Sequence, residues 1–204
     1  MSALASDTYK TIDKPGGETL FKDKGSKFYG YAFPVRTEEA VEKALHFLKK
    51  KHHKARHFCY AWQLGKKYDR YRANDDGEPS NSAGMPIYGQ LQAFQVTDVL
   101  VVSVRYFGGT KLGVGGLITA YKTSAKQALE AADIKTKTID VDFEISFDYP
   151  EMSKVMEIIN REKLKVTRQI LQMDCKIFIQ VRQKSARQIA DQFDAIYGVT
   201  IKEL

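Results

Sequence analysis

Residues 99–116, VLVVSVRYFGGTKLGVGG, constrain the fold more than any other part of the chain. Val99, Leu100, Val101, Val102 and Val104 form an apolar run too dense for a strand with one wet face, so a strand covered on both sides is expected. Arg105 and Tyr106 follow where that strand leaves the sheet. Gly108, Gly109, Gly113, Gly115 and Gly116 then let the main chain take positive φ and approach a ligand closely. From about residue 114, Leu117, Ile118, Tyr121, Ala125, Ala128 and Leu129 recur at helical spacing along one apolar face. The first N–H groups of such a helix face the glycine loop, where their partial positive charge favours phosphate or carboxylate. Two nucleotide motifs are excluded. No Lys-Ser or Lys-Thr pair follows Gly113, and Ile118 stands where the last glycine of a dinucleotide fingerprint belongs. A purely structural alternative stays open, in which the glycines only turn a strand tightly into a helix.

The 204 residues are enough for one large domain or two small ones. Apolar residues make up 43%, and no stretch approaches the ~20 apolar residues of a membrane span. The first residues, MSALASDTYKTIDKPGG, show neither a charged nor an apolar signal region, and Cys59 and Cys175 fit reduced core thiols, so a cytoplasmic protein is expected. The net charge of +7 is unevenly placed: residues 1–135 carry 21 Lys+Arg against 14 Asp+Glu, and residues 136–204 carry 11 of each. A basic part beside a neutral one points to a polyanionic partner for the former, such as RNA, the ribosome or a phosphorylated ligand.

The second part reads as β-α-β-β-α-β. Ile139, Val141, Phe143, Ile145 and Phe147 alternate with polar residues, the period of a strand with one wet face. Pro150 and Glu151 suit a first helical turn ahead of Met152, Val155, Met156 and Ile159. Strands at 165–172 and 175–182 flank Met173-Asp174 as a hairpin. Ser185 and Gln188 have capping-box spacing before Ile189, Ala190, Phe193 and Ile196, and Gly198 precedes a last strand at 199–202. This order is the split arrangement of ferredoxin-like domains. In the first part, strands are expected at 19–22 and 27–35, a helix at 37–54, a strand at 57–64, a polar loop at 65–84 and a helix near 86–94. The domain boundary falls near 132–137, giving domains 1–134 and 135–204.

Several residues in this first part carry candidate chemistry. Asp75, Asp76 and Glu78 crowd four positions of a turn-rich loop, where they suit either a solvated turn or hard oxygen ligands for Mg²⁺. Ser80, Asn81 and Ser82 suit phosphate binding or capping of the next helix. His52, His53, His57 and Cys59 lack the paired spacings of a zinc site. His57 and Cys59 share a strand face, but side by side, so Cys59 reads as a buried hydrophobe rather than a nucleophile. Phe58, Tyr60 and Trp62 read as core. Lys22, Lys24 and Lys27 form a basic turn around Gly25.

Four segments together, KGSKF at 24–28, HFCYAW at 57–62, DDGEPSNSAG at 75–84 and VRYFGGTKLGVGGL at 104–117, resemble the IMPACT family in its bacterial YigZ branch. The resemblance spans essentially the entire chain. It implies an α+β protein of two domains: an N-terminal ribosomal-protein-like domain with left-handed βαβ topology, and a C-terminal ferredoxin-like domain similar to the last domain of elongation factor G. Eukaryotic members, through an additional N-terminal domain, counter a kinase pathway that inhibits initiation. Nothing matching that domain is visible here, so the expectation is a cytoplasmic regulator of translation that binds RNA or the ribosome, with a translation-related protein as a further partner and no membrane. For the family's groove, Lys27, Arg105, Tyr106, Thr110 and Lys111, with the backbone of Gly108, Gly109, Gly113, Gly115 and Gly116, are assigned to anion contact. Asp75, Asp76 and Glu78 are assigned to the opposing wall or a Mg²⁺ site. No catalytic residue and no cofactor beyond that Mg²⁺ is expected. The rivals are a Mg²⁺-dependent enzyme acting on a small phosphorylated molecule, and a regulator working through protein contacts on Asp140, Asp142 and Glu144.

Overall fold

The protein, in a computed structural model, is described over residues 7–172 and 174–204. Its chain follows the order β1 Thr8–Ile12, β2 Thr19–Asp23, β3 Ser26–Pro34, α1 Glu38–Lys51, β4 His57–Leu64, β5 Arg70–Asn74, α2 Gly84–Phe94, β6 Val99–Tyr106, α3 Gly113–Glu130 and β7 Ile134–Thr138. There follow β8 Asp140–Asp148, α4 Met152–Arg161, β9 Lys165–Ile170, β10 Asp174–Arg182, α5 Gln183–Asp194 and β11 Val199–Glu203. Residues divide into two compact units, Tyr9–Lys137 and Thr138–Leu204, the latter with Asp7 and Thr8.

In the larger unit, the five-stranded antiparallel sheet has the order β2-β3-β6-β4-β5, so the apolar strand β6 is central and fully covered. Because side chains alternate across a strand, β6 serves two cores. Val99 and Val101 pack with Ile87, Leu91, Leu117 and Tyr121 from α2 and α3, while Leu100, Val102 and Val104 pack with Val41 and Leu48 from α1. Thr37 caps α1, its hydroxyl accepting from the Ala40 N–H at 3.2 Å, and Lys49–Lys51 complement the C-terminal end of the helix dipole. The expected strands and helices of this unit form. Strands β1 and β7, which pair in a separate two-stranded sheet, and β5, within the expected loop, are not legible in the sequence. They are short, and β5 reads RYRAN, with no apolar alternation to mark it.

The smaller unit is a four-stranded antiparallel sheet in the order β11-β8-β10-β9, with α4 and α5 supplying Val155, Ile159, Ile189 and Phe193 to a core closed by Ile145, Ile177 and Ile179. Pro150 occupies the first turn of a short 3₁₀ segment leading into α4. Met173 of the expected hairpin turn, and residues 1–6 of the N-terminal segment inspected for a signal sequence, lie outside the described residues. The expected capping box is corrected: α5 begins at Gln183, ahead of Ser185, and its N-cap Arg182 makes no side-chain capping bond. On the wet face of β8, Glu144 pairs with Lys176 at 2.6 Å and Asp142 accepts from Gln180 at 3.1 Å.

Candidate functional site

The register between β3 and β6 separates residues that the sequence places in one groove. Lys27 stands opposite Tyr106, and Phe28 stands opposite Arg105. Consecutive residues point to opposite faces, so Lys27 and Tyr106 share the α1 side of the sheet while Arg105 shares the α2–α3 side with Phe28. Arg105 and the Lys27–Tyr106 pair therefore do not line one pocket.

Arg105 is corrected as an anion ligand. It is 6% exposed, and its guanidinium donates to Glu78 Oε1 at 2.6 Å. The Tyr121 phenol donates to the same oxygen at 2.7 Å, and the rings of Phe28 and Phe107 lie 5.5 and 5.7 Å from the guanidinium carbon. A charge this dry holds its place through a paired carboxylate and stacked rings. Arg105 therefore anchors the loop that carries Glu78 to the end of β6. Burial also drives the Tyr121 phenol well above its usual range.

The acidic wall does not assemble either. Asp75 accepts from the Ala83 and Gly84 N–H groups through one oxygen, at 2.9 and 2.8 Å, and from Asn81 through the other at 2.9 Å. Its carboxylate thus caps α2, which lacks a cap from Ala83 itself. Asp76 accepts from the Phe58 N–H at 2.6 Å, and Glu78 faces Arg105. Each carboxylate is engaged by a different partner, and among the described residues no group of three metal-ligating side chains forms. Cys59 is buried and donates to the Asp75 carbonyl at 2.9 Å; burial raises its thiol far above the ordinary range, leaving it unreactive. Ser82 is buried and bonds the Pro79 carbonyl at 2.6 Å.

Tyr106 points into an aromatic cluster rather than outward. Its hydroxyl lies 3.0 Å from His52 Nδ1, while His52 Nε2 lies 2.6 Å from the Tyr31 hydroxyl, which donates to Glu18 at 2.6 Å. Proton accounting assigns Nε2–H to neutral His52, with Tyr106 donating to Nδ1. Burial lowers the His52 pKa, and this outweighs the opposite pull of Glu18. Lys51 and Tyr31 both bond Glu18, holding its carboxyl below the usual range. No sequence signal marks this cluster, because its members come from β3, the C-terminal end of α1 and β6.

The exposed remainder forms a different surface. Gly108 packs directly on the β2–β3 turn: its N–H donates to Ser26 Oγ at 3.2 Å, and a Cβ at Gly108 would overlap the Gly25 and Ser26 backbone. That contact sets the glycine loop beside exposed Lys22, Lys24 and Lys27. Thr110 and Lys111 are exposed on the loop itself. At the start of α3, Leu112 provides no capping bond, and the N–H groups of Gly113, Val114 and Gly115 have no partner among the described residues. Side-chain space beside Gly109, Gly113 and Gly115 is open. Phe107, which no motif singles out, is 57% exposed at the edge of this loop.

Comparison with known proteins agrees with the four motifs. The Impact N-terminal domain model matches residues 24–129, just over half of the chain. A Bacillus subtilis protein, IMPACT family member YvyE, is 34% identical over 72% of this chain and 68% of its own length. IMPACT family member YigZ of Escherichia coli is 31% identical over 78% of this chain and 77% of its own. A solved structure described as that of a hypothetical protein shares the fold, with a TM-score of 0.69 and 23% identity over 98% of this chain and 97% of that one. The chain belongs to the IMPACT family.

Proposed function

We propose that this protein is a translation-associated regulator that binds RNA, on or off the ribosome, through the glycine loop and the start of α3. The observation that carries this reading is the contrast between two helix N-termini. Asp75 fills the one at α2, whereas the one at α3 keeps three N–H groups without a partner among the described residues, on the loop that also carries Lys111 and packs on the lysine-bearing β2–β3 turn. Such a terminus favours phosphate oxygens, and several lysines around it fit a polyanion better than a single small anion. Exposed Phe107 gives an unpaired base a ring to stack on. The ferredoxin-like reading of Thr138–Leu204, supported by the strand order β11-β8-β10-β9, and the left-handed βαβ reading of the larger unit both accord with this role. The separate engagement of the Asp75, Asp76 and Glu78 carboxylates favours this reading over the Mg²⁺-dependent rival.

The test is anisotropy of a fluorescein-labelled single-stranded RNA titrated with protein over a range of KCl concentrations. Affinity falls as salt rises, and replacing Lys27 and Lys111 together by Ala lowers the slope of log K against log[salt] by roughly 0.7 for each phosphate that is no longer neutralised. Phe107→Ala weakens RNA binding by about 1–3 kcal/mol and leaves the slope unchanged. Absence of RNA binding at low salt overturns the proposal, as does a slope indifferent to both lysines.

A further inference from the structure

We propose a second, separate binding surface: the groove between α2 and α3 is a docking site for an acidic amphipathic helix of a partner protein. The groove lies within the larger unit, has a volume of about 950 Å³ and is open to solvent. Its floor is apolar, built on Pro86, Gly89, Phe94, Ile118 and Ile134, and Ile118 is 38% exposed although it sits on a helix whose inner face is fully packed. The groove thus presents an apolar strip with polar edges, on which an apolar stripe of a partner can be buried.

Charge complementarity selects the occupant. Lys10, Lys122 and Lys126 line the groove, and among the described residues no Asp or Glu does. Lys126 also reaches Glu130 at 3.6 Å, with both side chains more than half exposed, and Lys10 donates to Gln95 at 3.3 Å; Lys122 has no partner among the described residues. A screened surface pair of this sort holds its lysine weakly. Gln90 also lines the groove, and its carboxamide, which keeps contact with solvent, has no hydrogen-bond partner among the described residues. It can give an occupant a hydrogen bond in place of one to water.

Shape favours a helix over a single acyl chain. Lys122 and Lys126 stand four positions apart on α3, roughly 6 Å along its axis, a spacing matched by Glu residues one turn apart on an incoming helix. Gly89 presents no side chain, and a Cβ there would meet open space, so a third helix can approach α2 closely and seat its ridge between the two helices. The resulting mode is an apolar stripe in a groove with acidic flanks against the lysine rim.

Fluorescence anisotropy with a designed probe tests this directly: a labelled 18-residue helix carrying Leu at i, i+3, i+4 and i+7 and Glu on both flanks, alongside a scrambled peptide of the same composition and a version with Lys for Glu. The acidic helix binds the full chain, and Gly89→Trp, which fills the groove from a position with room for it, weakens that binding at least tenfold while RNA affinity is unchanged. Lys122→Glu with Lys126→Glu abolishes binding of the acidic probe and admits the lysine version. Ile118→Asp, at an already exposed position, serves as the second groove variant if Gly89→Trp alters the circular dichroism spectrum. Equal binding of the scrambled peptide, no binding at low salt, or indifference to both groove variants overturns the proposal. Groove-dependent binding of phosphatidylglycerol vesicles in place of the helix overturns it in favour of lipid. Because RNA is measured on the same variants, failure here is distinguishable from failure of the RNA reading.

Discussion

Arg105 shows how much one residue's role depends on burial. A basic residue at the exit of a central strand is a reasonable anion ligand until Glu78 is found 2.6 Å away, with side-chain exposures of 7% and 5% for the pair. Glu78→Leu leaves the guanidinium charged and unpaired, so it destabilises the fold by about 3–5 kcal/mol, read as a lower urea midpoint at unchanged slope. Adding Arg105→Met and Tyr121→Phe recovers most of that loss, since no buried polar partner is then left over. Two glycines, one in the loop after β6 and one in the first turn of α3, respond in opposite ways. Gly108→Ala drives a methyl into the Gly25–Ser26 backbone and lowers thermal stability sharply, whereas Gly115→Ala meets open space inside α3 and raises stability by up to about 1 kcal/mol. His52 supplies a pH dependence. Its folded pKa lies below the ordinary value of 6.5, so the unfolded chain binds the extra proton first. The stabilising contribution is complete above pH 6.5 and is lost as pH falls through the window beneath it, at no more than about 1.4 kcal/mol per pH unit for one proton. Urea titrations at stepped pH show this slope, and His52→Leu flattens it.

At the scale of elements, the two helices that cover one face of the large sheet begin in opposite ways. α2 is closed by a carboxylate brought from the preceding loop, whereas α3 starts from glycine with no cap. Asp75→Ala frees three backbone N–H groups together. It costs about 1–2 kcal/mol, the upper range for loss of a cap, and hydrogen exchange at Ala83 and Gly84 speeds up accordingly. The capping box expected at Ser185 and Gln188 fails for an instructive reason: the spacing is present, but α5 runs directly on from β10, so Ser185 is already inside the helix. A cap needs a residue with extended backbone at the boundary, and here Arg182 occupies it, with φ −60° and ψ 131°.

For the whole molecule, the excess charge of residues 1–135 and the open start of α3 lie in the same unit, which is why salt is the decisive variable for the RNA measurement. Strong periodicity made the sequence sufficient for the large elements. The dense apolar run of β6 announced a central strand, the alternation of β8 a half-wet one, and the stripe of α3 a helix packed on one side. Those signals are local, since side-chain period follows directly from backbone geometry. The family, too, was legible, because its motifs are contiguous segments. The partners of polar residues were not. That Glu78 neutralises Arg105 and that His52 joins Tyr31 to Tyr106 depend on chain segments far apart in sequence meeting as the sheet packs, and that Asp75 caps α2 depends on the path of the loop between β5 and α2. Register and burial are set only when the whole unit packs, and a charged side chain serves a ligand or the fold according to which of those two it meets first.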